Sequence, residues 1–263
     1  MRIEVITCRT ALSDSKIMGF DYSLNPYFDC SHSCAYCYAP NILRVDRDSW
    51  GSYVRVKINI PKVLSKELKH KERGVVGISS VTDPYQALER EYKLTRYCLE
   101  QLLKHDFPIS IMTKSSLVKR DFDLIARFSE SEIGITITTL NVSLKKILEP
   151  NSSSIQARIE TLRESVSAGI DTYAFLGPLY PTTEVDELQD LVEKIAGTGV
   201  KRVMADKLNL KKGVWDSVRN ALRIDARAQE IFRQRLFGDR DYYKKAFSIL
   251  SELCKDYGVE FEC

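Results

Sequence analysis

Short apolar runs alternate with stretches of helical period along most of the chain. Residues 75–79, 108–112, 133–138, 170–176 and 201–205 read as short buried strands, with a further short strand at Tyr22–Leu24. The gaps between them leave room for one helix each. Residues 92–105 place Leu94, Cys98 and Leu102 on one helical face, and 121–129, 155–168 and 185–196 repeat the pattern. Gly169 and Gly197 follow two of these segments as stop signals.

Strand–helix alternation at this spacing predicts βαβ units and a parallel sheet. About six strands fit an α/β fold of the partial (β/α)6 TIM-type barrel class. In such folds chemistry gathers at the C-terminal strand ends. Ser80, Thr82, Asp83, Thr113, Lys114, Thr138, Thr139 and Asp206 stand at those ends. After residue 206 the pattern turns mostly helical. Tyr243, Phe247, Leu250, Cys254 and Tyr257 form one apolar stripe. No Pro/Gly linker or internal repeat divides the chain. We expect one structural unit: a barrel over 1–206 with a short N-terminal extension, and a helical extension over 207–263 packed on it.

Composition adds exclusions. The 263 residues are 44% hydrophobic and 29% charged, ordinary for a globular chain and unlike disordered or fibrous classes. Nothing approaches the roughly 18 apolar residues of a membrane span, and the N-terminus lacks the layout of a signal peptide. The expectation is a cytoplasmic protein without membrane contact. A net charge of +3 is too small to imply a nucleic-acid partner by itself.

Cysteine usage is sharper. Seven cysteines, an odd number, argue against a secreted disulfide framework. Cys30, Cys34 and Cys37 form a C-x3-C-x2-C loop that Pro26 and small residues keep out of a helix. Three thiolates converging on one point suit a metal. Zinc wants four ligands, with His32 the nearest candidate but cramped between two cysteines. An iron–sulfur cluster normally takes four thiolates, so three leave one iron open to a ligand. Cys98 and Cys254 lie on apolar stripes and read as core; Cys8 and Cys263 lie near the termini, where no tight spacing supports a second cluster.

Around this loop a set of motifs follows in order: Asn25-Pro26-Tyr27, Cys30, His32, Cys34, Tyr36-Cys37-Tyr38-Ala39, Thr82-Asp83-Pro84-Tyr85-Gln86, Leu94-Thr95-Arg96, Thr113-Lys114-Ser115, Arg120-Asp121, Leu148-Glu149-Pro150, Arg158 and Ala168-Gly169-Ile170. The set resembles the radical SAM superfamily, in its spore-photoproduct-lyase-like (DNA repair photolyase-like) branch, over roughly residues 20–181. The resemblance implies a radical SAM barrel in which Cys30, Cys34 and Cys37 hold a [4Fe–4S] cluster. S-adenosylmethionine would chelate the open iron and be cleaved reductively to a 5′-deoxyadenosyl radical that abstracts hydrogen from substrate. It places Tyr36 near the adenine, Thr82 and Asp83 at the methionine ammonium, Lys114 at its carboxylate and Thr138 at a ribose hydroxyl. Glu149 and Arg158 belong to the pattern without a fixed role, Arg158 being a candidate for the carboxylate or a substrate anion. A flavodoxin- or ferredoxin-like electron donor and a nucleic-acid substrate are implied in the same way.

One departure stands out. The family's spore photoproduct lyases carry a hydrogen-donating cysteine where this chain has Ser80, and an O–H bond is too strong to take that part. A peptide or small metabolite therefore competes with nucleic acid as substrate. A non-catalytic zinc-binding module is the alternative from another class. The basic run Arg55, Lys57, Lys62, Lys66, Lys69, Lys71 and Arg73 reads as a solvated helix face, with a phosphate-contacting patch as its alternative. His32 reads as a hydrogen-bonder that orders the loop.

Overall fold

The computed structural model describes residues 1–181 and 184–263. In chain order the strands are β1 (Arg2–Ile6), β2 (Leu12–Asp14), β3 (Tyr22–Leu24), β4 (Tyr27–Phe28), β5 (Tyr53–Lys57), β6 (Val76–Ile78), β7 (Ile109–Thr113), β8 (Ser131–Thr136), β9 (Asp171–Leu176), β10 (Arg202–Ala205) and β11 (Glu260–Glu262). The main sheet runs β11-β10-β9-β8-β7-β6-β3-β2. Every pairing from β3 to β11 is parallel, and β2 closes one edge antiparallel to β3. The six predicted strands are β3 and β6–β10, each within two residues of its expected bounds, so the partial (β/α)6 barrel stands.

Side-chain alternation along these strands makes two surfaces. Ile109 and Ile111, Ile133 and Ile135, and Ala174 and Leu176 are buried in the main core, together with Leu99, Leu102, Leu162, Leu191 and Ile195 of the flanking helices. The other parity, with Ser110, Met112, Glu132, Thr136, Tyr173 and Phe175, lines the interior. Two glycines make room there. A Cβ on Gly77 would lie 2.4 Å from the Phe20 ring, and one on Gly134 would lie 2.3 Å from the Tyr173 ring.

Several elements depart from expectation. A second sheet, β1-β5-β4, flanks the barrel, its β5 burying Val54 and Val56. It splits the basic run. Arg55 and Lys57 lie on β5 rather than on a helix: Arg55 stacks 3.5 Å from the Phe28 ring centroid, and Lys57 donates to the Asn25 carbonyl at 2.9 Å. The helix expected over 92–105 breaks at Lys93, whose φ is 52°. A turn, Glu89–Tyr92, precedes a helix, Leu94–Lys104. The cause is the buried Glu89 carboxylate, which accepts the N–H groups of Thr95 (3.0 Å) and Arg96 (3.3 Å) and so caps the second segment. Residues 121–129 give only the short helix Phe122–Ile125, after a 3₁₀ stretch Ser116–Asp121 that Ser115 caps.

The tail forms helices Val214–Ala221, Ala226–Arg233 and Tyr242–Asp256, then β11, which extends the barrel sheet beside β10. It is therefore part of the sheet as well as a helical extension. Leu250 and Cys254 are buried, whereas Tyr257 falls beyond the helix and is exposed, so the stripe ends at Cys254. Among the described residues no helix is long and apolar enough to cross a membrane.

Candidate active site

A cavity of about 510 Å³ runs from the cysteine loop into the barrel. Cys30, Cys34 and Cys37 all line it, Cys30 and Cys34 buried and Cys37 half-buried. Asp29 (φ 71°) and Ser33 (φ 53°) adopt left-handed backbone. Turns then close through Ser33 N–H to the Cys30 carbonyl (3.3 Å) and Cys37 N–H to the Cys34 carbonyl (3.1 Å). These turns bring three thiols from a short loop to one wall. Burial pushes the Cys30 thiol up to about 12 and raises those of Cys34 and Cys37.

The segment after β6 holds the first half of the loop. The Gln86 side-chain oxygen accepts the Ser31 N–H (2.8 Å), and the Thr82 hydroxyl donates to the Asp29 carbonyl (2.6 Å). Gln86 Nε2 donates to Thr82 Oγ1 (2.9 Å). Asp83 lines the cavity but its carboxylate is heavily used. It accepts the Thr113 hydroxyl (2.7 Å) and the N–H groups of Lys114 (2.8 Å) and Tyr85 (2.9 Å), with His32 Nδ1 3.3 Å away. Burial opposes its charge, but the His32 charge and these donors outweigh it and hold the carboxyl well below the usual range. The geometry thus gives Thr82, Asp83 and His32 loop-ordering contacts.

Lys114, at the end of β7, lines the cavity with its ammonium 5.8 Å from the Tyr36 ring centroid and no ion pair among the described residues. Ser80 also lines it, its hydroxyl accepting from Asn25 Nδ2 (3.2 Å). Tyr36 is buried against the same cavity. Thr138, Glu149 and Arg158 do not line it. All three are buried behind the wall, where Thr138 donates to Glu149 Oε1 (3.0 Å) and Arg158 pairs with Glu149. The sheet explains Thr138: β8 ends at Thr136, so Thr136 takes the inward position and Thr138 turns away. Sequence reasoning missed Thr136, although its parity with Glu132 and Gly134 on one strand was the available signal. The Thr136 and Ser79 hydroxyls are buried at this cavity without a hydrogen-bond partner in the structure.

A three-cysteine loop over the C-terminal strand ends of a partial β/α barrel, facing a cavity that also holds Lys114 and Asp83, defines a class of barrel enzyme. The Radical SAM superfamily model matches residues 24–195, and the chain belongs to that superfamily as an enzyme of radical SAM type. It is 39% identical over 183 residues to an uncharacterized protein of Methanocaldococcus jannaschii, covering 68% of this chain and 69% of that one. It is 30% identical over 220 residues to an uncharacterized protein of Mycobacterium bovis, covering 78% of this chain and 65% of that one. A radical SAM Nalpha-GlyT isomerase of Pseudomonas phage M6 is 26% identical over 177 residues, 66% of this chain and 36% of that one. Among solved structures, spore photoproduct lyase with bound AdoMet and dinucleoside spore photoproduct superposes with a TM-score of 0.69 at 17% identity, covering 98% of this chain and 81% of that one. The fold is therefore shared with that lyase.

Proposed function

We propose that Cys30, Cys34 and Cys37 hold a [4Fe–4S] cluster and that the adjoining cavity takes S-adenosylmethionine for hydrogen abstraction from a nucleic-acid substrate. The observation that carries the reading is the gathering of three thiols and the unpaired Lys114 ammonium on one cavity. The donor set fits the group. Thiols suit iron, a free ammonium suits a carboxylate, and the partnerless Thr136 and Ser79 hydroxyls call for a polar ligand. The alternative zinc module has no use for Lys114 in the cavity.

When bound, the cofactor pair supplies reductive cleavage of a sulfonium and a 5′-deoxyadenosyl radical, with the electron delivered by a flavodoxin- or ferredoxin-like donor. The chain's own part is to bind and orient. Lys114 offers a cation to the methionine carboxylate, Thr136 offers a hydroxyl from the barrel wall, and the Tyr36 ring lines the same cavity 5.8 Å from the Lys114 ammonium. Nucleic acid as substrate is supported by the similar spore photoproduct lyase, whose structure holds a dinucleoside spore photoproduct. Ser80 separates this chain from repair that relies on a cysteine at that position, so the substrate need not be that photoproduct.

Anaerobic reconstitution followed by S-adenosylmethionine and a reductant tests the reading. The expected result is a brown protein with about four irons per chain that yields 5′-deoxyadenosine, and Cys34→Ala should lose both properties together. Colourless protein holding one zinc defeats the reading. Salt-dependent retention on DNA or RNA supports the substrate class, and none at low salt counts against it.

A further inference from the structure

Residues 148–158 grip the cysteine loop, chiefly its second half, and the strand ends at the same time. Toward the loop, the Leu148 carbonyl accepts the Ala35 N–H (2.9 Å) and Asn151 Nδ2 donates to the Ser31 carbonyl (3.0 Å). The Glu149 carboxylate accepts the Tyr36 hydroxyl. Toward the strands, Ser153 N–H donates to the Lys114 carbonyl (3.1 Å) and Ser153 Oγ accepts the Ser116 N–H (2.9 Å). Arg158 donates to the Thr136 carbonyl (3.0 Å) and the Ser153 carbonyl (3.0 Å). At the centre Glu149 and Arg158 are paired, both essentially without solvent contact.

A neutral side chain could not accept a phenol, a threonine hydroxyl and a guanidinium together; a carboxylate with two oxygens can. Such charge-assisted bonds are short and directional. Burial opposes the charge on Glu149, but Arg158 and Lys114, with the Tyr36 and Arg158 hydrogen bonds, hold its carboxyl down at about 2. It is therefore ionised at neutral pH.

We propose that Glu149 and Arg158 are positioning residues that, acting through Tyr36, keep the Cys34–Cys37 turn in register with Lys114 and Thr136 across the cavity. The proposal rests on the cluster reading for its purpose, but the device belongs to the bare chain and can be tested there. Tyr36→Phe and Thr138→Val each remove one hydrogen bond to Glu149, and only the first bond reaches the loop. Amide hydrogen exchange over residues 34–37 of the bare chain should quicken about tenfold in Tyr36→Phe, the worth of one bond to a charged acceptor. In Thr138→Val it should change less than about twofold. After reconstitution, the electron paramagnetic resonance signal of the reduced cluster should shift in Tyr36→Phe and match wild type in Thr138→Val. Unchanged exchange in Tyr36→Phe, or equal increases in both variants, overturns the proposal. A wild-type chain that takes up no iron defeats the proposed function and leaves the exchange comparison standing.

Discussion

The two halves of the cysteine loop are held by different physics. The first half, around Cys30, hangs on neutral bonds from Thr82 and Gln86, with the Asp83 carboxylate 3.3 Å from His32 Nδ1 as its one charged contact. The second half, around Cys34 and Cys37, hangs on a buried ion pair, Glu149 with Arg158. Neutral bonds share load and fail one at a time. A buried pair stands or falls together, because removing one member strands the other charge away from water. The difference teaches that the two grips should respond unequally to mutation and to acid.

The largest effect should come from splitting the pair. Arg158→Met leaves Glu149 buried without its cation and should cost about 3–5 kcal/mol, seen as a lower denaturant midpoint. A cost below about 1 kcal/mol would show that the pair behaves like a surface one and would erase the contrast.

Acid should distinguish the halves next. Glu149 is lowered from an ordinary 4.5 to about 2. Its depressed folded value means that its stabilisation is fully present above pH 4.5 and is lost as pH falls toward 2. At about 1.4 kcal/mol per unit, the loss is on the order of 3 kcal/mol. Asp83 is depressed as well and adds in the same direction at the acid end. Stability measured from pH 6 downward should therefore decline, and Arg158→Met should flatten the part owed to Glu149. An equally steep decline in the variant would assign the acid sensitivity elsewhere.

Asp83→Asn should cost less, about 1–3 kcal/mol. The amide keeps one acceptor for Thr113 or Tyr85 but turns an NH₂ toward another donor and loses the His32 contact. A loss as large as that of Arg158→Met would mean that both grips are equally ionic.

How much of this was legible beforehand follows from range. Strand parity and helical period are local, and they gave β3, β6–β10 and the Val185–Ala196 helix. The three-cysteine spacing is also local, and it marked the loop. Pairings that join distant residues were not legible. Strands β1 and β5 meet across intervening elements, and β11 finds β10 from the far end of the chain. Glu149 and Arg158 drew notice as motif residues, but nothing in their spacing said that their partners would be Tyr36, Thr136 and Thr138 rather than a ligand. The choice between Thr136 and Thr138 turned on where β8 stops, and strand ends are the least local feature of a strand.

The smallest effect is the one that best sharpens the contrast. Thr82→Val removes a hydroxyl that donates to the Asp29 carbonyl and accepts from Gln86. One neutral bond of this kind is worth about 1 kcal/mol, and Gln86 still holds the Ser31 N–H and reaches the Asp29 carbonyl at 3.3 Å. The load passes to a neighbour, so amide exchange over residues 29–33 should rise only a few-fold while residues 34–37 stay as in wild type. That outcome separates the two grips by position as well as by strength. If exchange rose evenly from 29 to 37, the loop would be a single cooperative unit, and the ionic and neutral halves would be two descriptions of one anchor.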